Sequence, residues 1–557
     1  MSKIQKSNNR QKILEVNSLC IQAIHPVKKP IVRKISFDIG ISETIALVGE
    51  SGSGKSLTAL SLFGLQPNDI EIYSGNVKFD TQTIYPNIGA NLRALRRYSV
   101  GFIFQEAQSS LNPVISIGQQ ILEVLKNSRK AAATIRDQKQ QVLELISEVE
   151  IDNPQRVYKS YPHQLSGGMK QRVMIAIALA KNPRLLIADE PTTALDVSVQ
   201  SKILGLVKRI QERTKMSILF ITHDLAVAYQ ISDRVMVMRD GRITDKSPIG
   251  SLQFEDPSAY SRELINALPS WVKREKKQIN VSKELRQPIV KVDGLNICFK
   301  LKKNGIFSRR KYFQALNNVS FALRESSTLA VVGESGSGKT TLAKTILGLC
   351  SAKISGRVYF QDINILDCGW KSLKYIRANL QVVFQDPISS LNPRMRIGEI
   401  IEEGIRIHQS GLAKKHIDEK IKSILNDVGL SSDCVHRFPH EFSGGQRQRI
   451  CIARALAVEP KVIVCDEPTS SLDVLIQGQI IELLKQLQID KGISYLFITH
   501  DINLVSYFAD DVLVLRNGRV VEFGSVEKVI INASDPYTKA LISAAPKIPK
   551  LISRSFE

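Results

Sequence analysis

Two stretches of the chain combine glycines, a lysine and a hydroxyl side chain in the pattern G-x-x-x-x-G-K-[ST]. Glycine lets successive backbone N–H groups turn toward one anion, and such a loop cradles phosphate groups. Lys55 and Lys339 can bridge β- and γ-phosphates, and the Ser56 and Thr340 hydroxyls can ligate magnesium. A single copy could be an ordinary Gly/Ser turn, but two copies predict phosphate-binding loops. The residues are Gly49, Glu50, Ser51, Gly52, Ser53, Gly54, Lys55 and Ser56, and Gly333, Glu334, Ser335, Gly336, Ser337, Gly338, Lys339 and Thr340.

The segments around the first loop are those that a phosphate-binding loop needs. Ile45 to Val48 is a short apolar run that predicts a buried strand, and Leu57 to Leu65 predicts a helix. A strand, a glycine-rich loop and a helix in this order place the phosphate against the positive end of the helix.

A pair of adjacent carboxylates follows an apolar run in each half of the chain. Asp189-Glu190 comes after Leu185 to Ala188, and Asp466-Glu467 occupies the corresponding place in the second half of the chain. Ligands of open α/β sheets bind at the carboxyl ends of the strands. We expect each aspartate to hold magnesium and each glutamate to polarise an attacking water as general base.

A serine followed by two glycines precedes a helical run in each half. A serine hydroxyl and two glycine amides at a helix N-terminus can form a second anion site, but they can equally be a simple helix cap. Sequence reasoning leaves both readings open. The residues are Ser166, Gly167 and Gly168, and Ser443, Gly444 and Gly445.

The same motifs recur in the same order at nearly constant spacing, which indicates a duplicated domain rather than a short-period repeat. Within the first copy, residues 13–21 and 31–39 predict strands, and residues 115–149 change to a helical period. We therefore expect an α/β fold with two tandem domains, each a mixed-sheet core with an inserted helical subdomain. The predicted organisation is a disordered N-terminus at 1–11, a first domain at 12–269, a linker at 270–288, a second domain at 289–546 and a C-terminal tail at 547–557.

Composition narrows the class of protein without deciding it. Of 557 residues, 43% are apolar and 23% are charged, which is typical of a globular protein. No apolar stretch is long enough to predict a membrane span. The net charge of +22 suits nucleic acid, an anionic membrane surface or merely a solvated basic surface. Seven scattered cysteines without a C-x-x-C pair predict buried free thiols rather than a metal site.

Taken together, these motifs resemble the ATP-binding-cassette ATPases over nearly the whole chain. A narrower resemblance, to ATP-binding subunits of bacterial peptide importers of the oligopeptide, dipeptide and microcin C type, is carried by Ser110-Leu111-Asn112-Pro113 after Gln105 and by Ser390-Leu391-Asn392-Pro393 after Gln385. The resemblance implies ATP and Mg²⁺ as ligands. It also implies two composite sites for ATP hydrolysis, in which each phosphate loop faces the S-G-G turn of the other domain.

The resemblance also assigns residues that spacing alone does not. It implies that His223 and His500 contact the γ-phosphate, and that Gln105 and Gln385 complete the magnesium ligands and couple the site to a permease. Each magnesium set would then be Ser56, Gln105 and Asp189, or Thr340, Gln385 and Asp466. An aromatic side chain stacks on adenine in this family. Phe299 fits that role in the second domain, although core packing would explain it too, and Ala23 occupies the corresponding place in the first domain.

The implied function is the ATPase subunit of an importer for peptides or peptide-like compounds. It implies two integral-membrane permease subunits, a periplasmic or extracellular solute-binding protein, no nucleic acid, intramolecular pairing of the tandem domains, and a peripheral location on the cytoplasmic face of the inner (plasma) membrane. Two alternatives are a tandem cassette that acts on ribosomes and a DNA-repair or chromosome cassette. The first normally carries a long Arg-rich helical linker, which the short segment 270–288 is not. The second would have zinc cysteines or long heptad arms, and neither is visible in the sequence.

Overall fold

The computed structural model divides the chain into two compact units. Of the described residues, those within 11–195 and 199–266 and residue 546 belong to unit 1, and those within 196–198 and 267–545 belong to unit 2. The structure describes residues 11–25, 28–86, 91–105, 107–128, 134–193, 195–249, 258–267, 286–300, 312–409, 411–470 and 472–546.

Several expectations fall on residues outside these ranges. They are the disordered N-terminus apart from residue 11, the linker from 270 to 285, and the C-terminal tail at 547–557. The domain boundaries therefore stay a prediction.

Unit 1 contains two sheets. A four-stranded antiparallel sheet has the order β2-β1-β4-β5, and a six-stranded mixed sheet has the order β10-β9-β3-β8-β7-β6. The strands are β1 (Lys12–Ala23), β2 (Lys29–Gly40), β3 (Thr44–Val48), β4 (Ile70–Phe79), β5 (Gln82–Tyr85), β6 (Val100–Ile103), β7 (Leu185–Asp189), β8 (Ser217–Thr222), β9 (Arg234–Arg239) and β10 (Arg242–Pro248).

Helices lie between many of the strands of unit 1. They are α1 (Lys55–Ser61), α2 (Asn91–Tyr98), α3 (Ala107–Ser110), α4 (Ile117–Lys126), α5 (Ile135–Glu148), α6 (Pro154–Lys159), α7 (Gly167–Leu179), α8 (Val197–Thr214), α9 (Leu225–Ile231) and α10 (Ala259–Ala267).

The central strand β3 shows why the apolar run before the first loop becomes a strand. All five of its residues are buried, and it pairs in parallel with β8 on one side and β9 on the other. A strand covered on both faces has no room for alternating polar residues, so the four residues after Thr44 are all apolar. Each buried aliphatic side chain of this kind contributes about 1.5–3 kcal/mol.

The predicted helical subdomain is confirmed. Helices α4 and α5 bury one face each, with Ile117, Ile121 and Val142 fully buried in a core shared with α7. The expected fold class, two α/β units with mixed sheets and inserted helices, is also confirmed. The separate antiparallel sheet was not anticipated, because alternating strands predict a sheet but not which partners they take.

Unit 2 repeats this architecture, with sheets ordered β12-β11-β14-β15 and β16-β17-β18-β13-β19-β20. Its strands are β11 (Pro288–Lys300), β12 (Tyr312–Arg324), β13 (Thr328–Val332), β14 (Lys353–Phe360), β15 (Ile363–Asn364), β16 (Leu380–Val383), β17 (Val462–Asp466), β18 (Ser494–Ile498), β19 (Asp511–Arg516) and β20 (Arg519–Ser525). Its helices are α11 (Lys339–Ile346), α12 (Trp370–Asn379), α13 (Pro387–Ser390), α14 (Ile397–His408), α15 (Lys414–Asp427), α16 (Gly444–Leu456), α17 (Val474–Lys491), α18 (Ile502–Phe508) and α19 (Pro536–Ala544).

All seven cysteines are free thiols, as expected. Cys20, Cys434, Cys451 and Cys465 are buried, while Cys298, Cys350 and Cys368 are only partly buried. In the part of the chain that the structure describes, no helix is both long and apolar enough to cross a membrane.

Candidate functional site

The first phosphate loop connects β3 to α1 and has the backbone that its glycines predict. Gly52 and Gly54 have φ angles of 81° and 99°, in the left-handed region that favours glycine. A side chain at Gly49 would place its Cβ 2.1 Å from the Met238 carbonyl oxygen, so only glycine fits this contact with β9. The loop conformation therefore depends on these glycines.

The lysine of each loop lies inside it. Lys55 Nζ donates hydrogen bonds to the carbonyl oxygens of Gly49 at 2.8 Å and Glu50 at 2.7 Å. Lys339 Nζ makes the same contacts with Gly333 at 2.7 Å and Glu334 at 2.9 Å. Burial lowers the pKa of Lys339. The loop carbonyls hold each ammonium group where an anionic ligand of the loop would meet it.

The hydroxyl and carboxylate expected to bind magnesium are adjacent. The Ser56 hydroxyl donates to Asp189 Oδ1 at 2.9 Å, and the Thr340 hydroxyl donates to Asp466 Oδ1 at 3.3 Å. Burial raises the pKa of Asp189 to about 6. The negative charge of Glu190 also raises this pKa, while the hydrogen bond from Ser56 lowers it. A buried carboxyl with a raised pKa is stabilised by a cation, and a hydroxyl beside a carboxylate is the oxygen donor set that magnesium prefers. The residues thus fit the ion.

Glu190 lies at the centre of a small polar network. Its carboxylate accepts hydrogen bonds from Gln105 Nε2 at 3.0 Å and from the Thr193 hydroxyl at 2.9 Å, and His223 Nδ1 lies 3.3 Å from Oε1. Burial opposes ionisation, but the hydrogen bond and charge of His223 outweigh it and lower the pKa of Glu190 to about 2. The side chain is therefore ionised over the physiological range and is oriented by three neighbours.

The backbone at Glu190 is unusual. Its φ angle is 45°, a left-handed conformation uncommon for a residue with a side chain, and its N–H donates to the Ile221 carbonyl at 3.0 Å. Glu467 repeats this with φ of 47° and a 3.0 Å bond to Ile498. Backbone strain of this kind concentrates at functional sites. The turn directs each glutamate away from the strand that ends at the preceding aspartate.

Unit 2 has the same network with one difference. Gln385 Nε2 donates to Glu467 at 3.0 Å, and His500 Nδ1 lies 3.3 Å from the same carboxylate. Burial disfavours the imidazolium, but Glu467 outweighs this and raises the pKa of His500, while His500 in turn lowers the pKa of Glu467 against the effect of burial. Ser470 takes the place of Thr193, and its hydroxyl donates to the Glu467 backbone carbonyl at 3.1 Å rather than to the carboxylate.

The S-G-G turns lie outside these networks. The Ser166 hydroxyl accepts from the Met169 N–H at 3.3 Å and Ser443 accepts from Gln446 at 3.4 Å, so each serine caps its own helix. A Cβ at Gly168 would come within 2.7 Å of Val199, so this glycine is needed for helix packing. At Gly167 the nearest atom would be 3.8 Å away, and packing does not explain that glycine. Unit 2 shows the same contrast: a Cβ at Gly445 would lie 2.5 Å from the nearest atom, and a Cβ at Gly444 would lie 3.6 Å from the nearest atom.

Phe299 lies near the end of β11, directly opposite Phe313 of β12. Ile297, on the same face of the sheet, pairs with Leu316, and a Cβ at Gly338 of the phosphate loop would lie 2.6 Å from Leu316. The two phenylalanines therefore continue the sheet face that touches the loop. Phe299 packs partly against the core, and Phe313 is 54% exposed. In unit 1 the corresponding cross-strand pair is Ala23 and Lys29.

Sequence reasoning missed two tyrosines that contact the loops. The Glu50 N–H donates to the Tyr260 hydroxyl, and the Glu334 N–H donates to the Tyr537 hydroxyl, each at 3.1 Å. The detectable signal was a terminal segment of similar sequence in each half. The Asp256-Pro257 part of that signal lies outside the described residues, and nothing in the pattern indicates a contact with the loop.

Among the described residues there is no group of three or more His, Cys, Asp or Glu side chains that could hold a metal ion. The predicted magnesium sets do not have that form, because each combines one aspartate with a hydroxyl and an amide.

A phosphate-binding loop after a central parallel strand, an acidic pair at the end of a nearby strand and a histidine beyond the next strand define a P-loop nucleoside triphosphatase. The chain belongs to the ABC transporter family, whose model matches residues 32–193 and 316–470. It is thus an ATP-binding-cassette ATPase with two cassettes, and it binds ATP.

Relatives of similar length share this organisation. A protein of Agrobacterium fabrum named peptidoglycan transport ATP-binding protein YejF is 43% identical over 97% of this chain and 97% of its own length. An uncharacterised ABC transporter ATP-binding protein of Escherichia coli K12, also named YejF, is 40% identical over 96% of this chain and 99% of its own. The glutathione import ATP-binding protein GsiA of Escherichia coli K12 is 40% identical over 96% of this chain and 89% of its own.

Proposed function

We propose that this chain is the energy-coupling subunit of an importer for peptides or peptide-like compounds. The observation that carries the proposal is the complete set of hydrolytic side chains in both units. The relatives' names support the cargo class, because peptidoglycan fragments and glutathione both contain peptide bonds. Uptake would proceed through two separate integral-membrane permease subunits with a solute-binding protein, and the chain would lie peripherally on the cytoplasmic face of the inner (plasma) membrane.

Lys55 and Lys339 would bind the β- and γ-phosphates, each within a loop of inward-turned amides. Ser56, Asp189 and Gln105 in one unit, and Thr340, Asp466 and Gln385 in the other, would hold Mg²⁺. The ion would neutralise charge on the phosphate oxygens. The geometry that supports this is the hydroxyl-to-aspartate contact in each unit, at 2.9 and 3.3 Å.

Glu190 and Glu467 would orient the attacking water and accept its proton. A carboxylate whose pKa is about 2, as at Glu190, is a weak base while His223 donates to it. When His223 turns its hydrogen bond to a γ-phosphate, the carboxylate loses that stabilisation and becomes more basic. The histidine would thus link the presence of nucleotide to the strength of the base.

We further propose that each phosphate loop is completed by the S-G-G turn of the other domain. Ser166, Gly167 and Gly168 would serve one site, and Ser443, Gly444 and Gly445 the other. Family resemblance supports this pairing, as does the lack of a packing reason for Gly167 and Gly444. ATP that is bound fully only in the closed state favours closure by its differential affinity, and hydrolysis removes that preference.

The decisive experiment is purification of the tagged chain from membranes of cells that express it. We expect integral-membrane permease subunits to copurify, and ATP hydrolysis by the complex to increase when a peptide-loaded binding protein is added. Copurification with ribosomes and with no integral-membrane protein would contradict the proposal and favour the ribosome-associated class of tandem cassette.

A further inference from the structure

The terminal helix of each unit reaches the phosphate loop through one tyrosine. Tyr260 on α10 and Tyr537 on α19 are 2% and 8% exposed, so each ring is buried although its helix lies near the end of the unit. The hydroxyl of each accepts a hydrogen bond from the N–H of the second loop residue, Glu50 or Glu334, at 3.1 Å. A loop expected to bind phosphate by its amides therefore uses one amide to hold a helix.

This hydrogen bond determines the orientation of a peptide that the lysine also contacts. The peptide between Gly49 and Glu50 presents its carbonyl to Lys55 Nζ at 2.8 Å and its N–H to Tyr260. Because C=O and N–H of a trans peptide point in opposite directions, holding one fixes the direction of the other. The tyrosine thus keeps the Gly49 carbonyl turned toward the lysine and positions the ammonium group.

Each tyrosine ring is itself held by an arginine. The Arg239 guanidinium lies 4.6 Å from the centre of the Tyr260 ring, and Arg516 lies 4.7 Å from that of Tyr537. Both arginines end a strand paired with the strand before the loop. The turn after each strand also contacts the loop, since Gly241 N–H donates to Ser53 O at 3.1 Å and Gly518 N–H donates to Ser337 O at 2.9 Å.

We propose that Tyr260 and Tyr537 are positioning residues that couple nucleotide binding to docking of the terminal helix in each unit. The inference rests on the proposed function of the loops and adds to it a second site of control. Any event that detaches the terminal helix releases the loop peptide and weakens ATP binding. By linkage, ATP stabilises the docked helix by the same factor.

The test removes only the hydroxyl, with Tyr260→Phe and Tyr537→Phe in the full chain. To report on one loop at a time, Tyr260→Phe is combined with Lys339→Ala, and Tyr537→Phe with Lys55→Ala. Affinity for ATP and for inorganic tripolyphosphate is measured by calorimetry, and hydrogen exchange is followed in residues 259–267 and 536–544 with and without ATP. The control is Tyr507→Phe, which removes a hydroxyl hydrogen bond to Glu482 on the surface of unit 2.

We expect each positioning variant to bind both ATP and tripolyphosphate about two- to tenfold more weakly, the range of one net hydrogen bond. In the parent chain, we also expect ATP to slow hydrogen exchange in the terminal helix. In the positioning variant, ATP should no longer slow it. Tyr507→Phe should change neither the two affinities nor the effect of ATP on hydrogen exchange. A merely structural tyrosine would alter basal exchange without altering its response to ATP.

Unchanged affinities together with a preserved ATP response in the variants would overturn the inference. If the parent chain binds neither ATP nor tripolyphosphate, the proposed function of the loops fails instead. The two failures are distinguishable. The inference about the tyrosines fails only if the parent chain binds ATP or tripolyphosphate, whereas the proposed function of the loops fails if it binds neither.

Discussion

At the residue scale, the proposed hydrolysis depends most on the two glutamates, Glu190 and Glu467. Each is ionised and directed by an uncommon backbone conformation, with φ of 45° at the buried Glu190 and 47° at the partly buried Glu467. A side chain held this tightly can align a water without losing side-chain entropy during reaction. The adjacent aspartate has the opposite tendency, because burial raises the pKa of both Asp189 and Asp466. In the proposed mechanism, the aspartate of each pair binds the metal and the glutamate acts as the base.

Replacing the two glutamates tests their proposed role as bases. We expect Glu190→Gln and Glu467→Gln each to lower steady-state phosphate release strongly, and the double variant to lower it about 100-fold or more, because the amide cannot accept the proton. ATP binding should remain, since neither glutamate is needed to hold the phosphates. A single variant with unchanged phosphate release would show that its site is silent.

Adenine stacking can be tested separately from phosphate binding. In a chain carrying Lys55→Ala, we expect Phe299→Ala to weaken ATP binding about tenfold, because stacking on a base contributes roughly 1–3 kcal/mol. Binding of inorganic tripolyphosphate should not change, since it has no base. The control is Tyr312→Ala, an aromatic that is 55% exposed, pairs with Lys300 and lies on the other face of the sheet. Equal losses for ATP and tripolyphosphate would instead indicate that Phe299 only supports the core.

At the element scale, the terminal helices depend on carboxylates of the preceding hairpins. Asp245 on β10 accepts hydrogen bonds from the Ser258 N–H at 3.0 Å and from the Ser258 and Ser261 hydroxyls at the start of α10. Glu522 on β20 accepts from the Ser534 N–H at 2.9 Å and its hydroxyl at 2.8 Å, just before α19. Burial opposes ionisation at both positions, but these hydrogen bonds outweigh it and lower the pKa of Asp245 and Glu522.

Acid should therefore loosen the terminal helices first. A carboxyl with a lowered pKa in the folded state stabilises the fold above its ordinary pKa, here 3.8 for Asp245 and 4.5 for Glu522, and loses this as the pH falls below it. We expect hydrogen-exchange protection of α10 and α19, corrected for intrinsic rates, to decline as the pH falls below about 4.5. In Asp245→Asn, protection of α10 should be lower at neutral pH and nearly independent of pH. A parallel decline in that variant would assign the effect to other groups.

At the scale of the whole molecule, the chain contains the phosphate loop, the acidic pair and the histidine twice, in two units of the same architecture. In each unit, one buried core joins strands of both of its sheets. The differences are local: Ala23 against Phe299, and Thr193 against Ser470. They predict sites of unequal affinity rather than one active and one inactive site.

Stoichiometry checks this directly. In the Glu190→Gln, Glu467→Gln double variant we expect two ATP molecules per chain at saturation in equilibrium dialysis, with the weaker site in unit 1, where Ala23 occupies the place of Phe299. Lys55→Ala should remove the weaker site and Lys339→Ala the tighter one. Saturation at one ATP per chain in the double variant would contradict the prediction.

Much of this protein is determined by its amino-acid sequence alone. Two copies of a glycine pattern with a lysine and a hydroxyl predict loops whose backbone approaches phosphate, and the short apolar run before the first loop predicts a strand buried on both faces. The duplication, the α/β fold class, the helical subdomain and the candidate phosphate loops and acidic pairs follow from such local patterns.

The tertiary structure decided what depends on distance between residues far apart in the chain. The contact of Tyr260 with Glu50, the left-handed backbone at Glu190 and the packing role of Gly168 leave no periodic signal, because each arises where separate elements meet. A motif specifies which groups a loop contains. Only the packed chain specifies which of its amides donates to the tyrosine of the terminal helix.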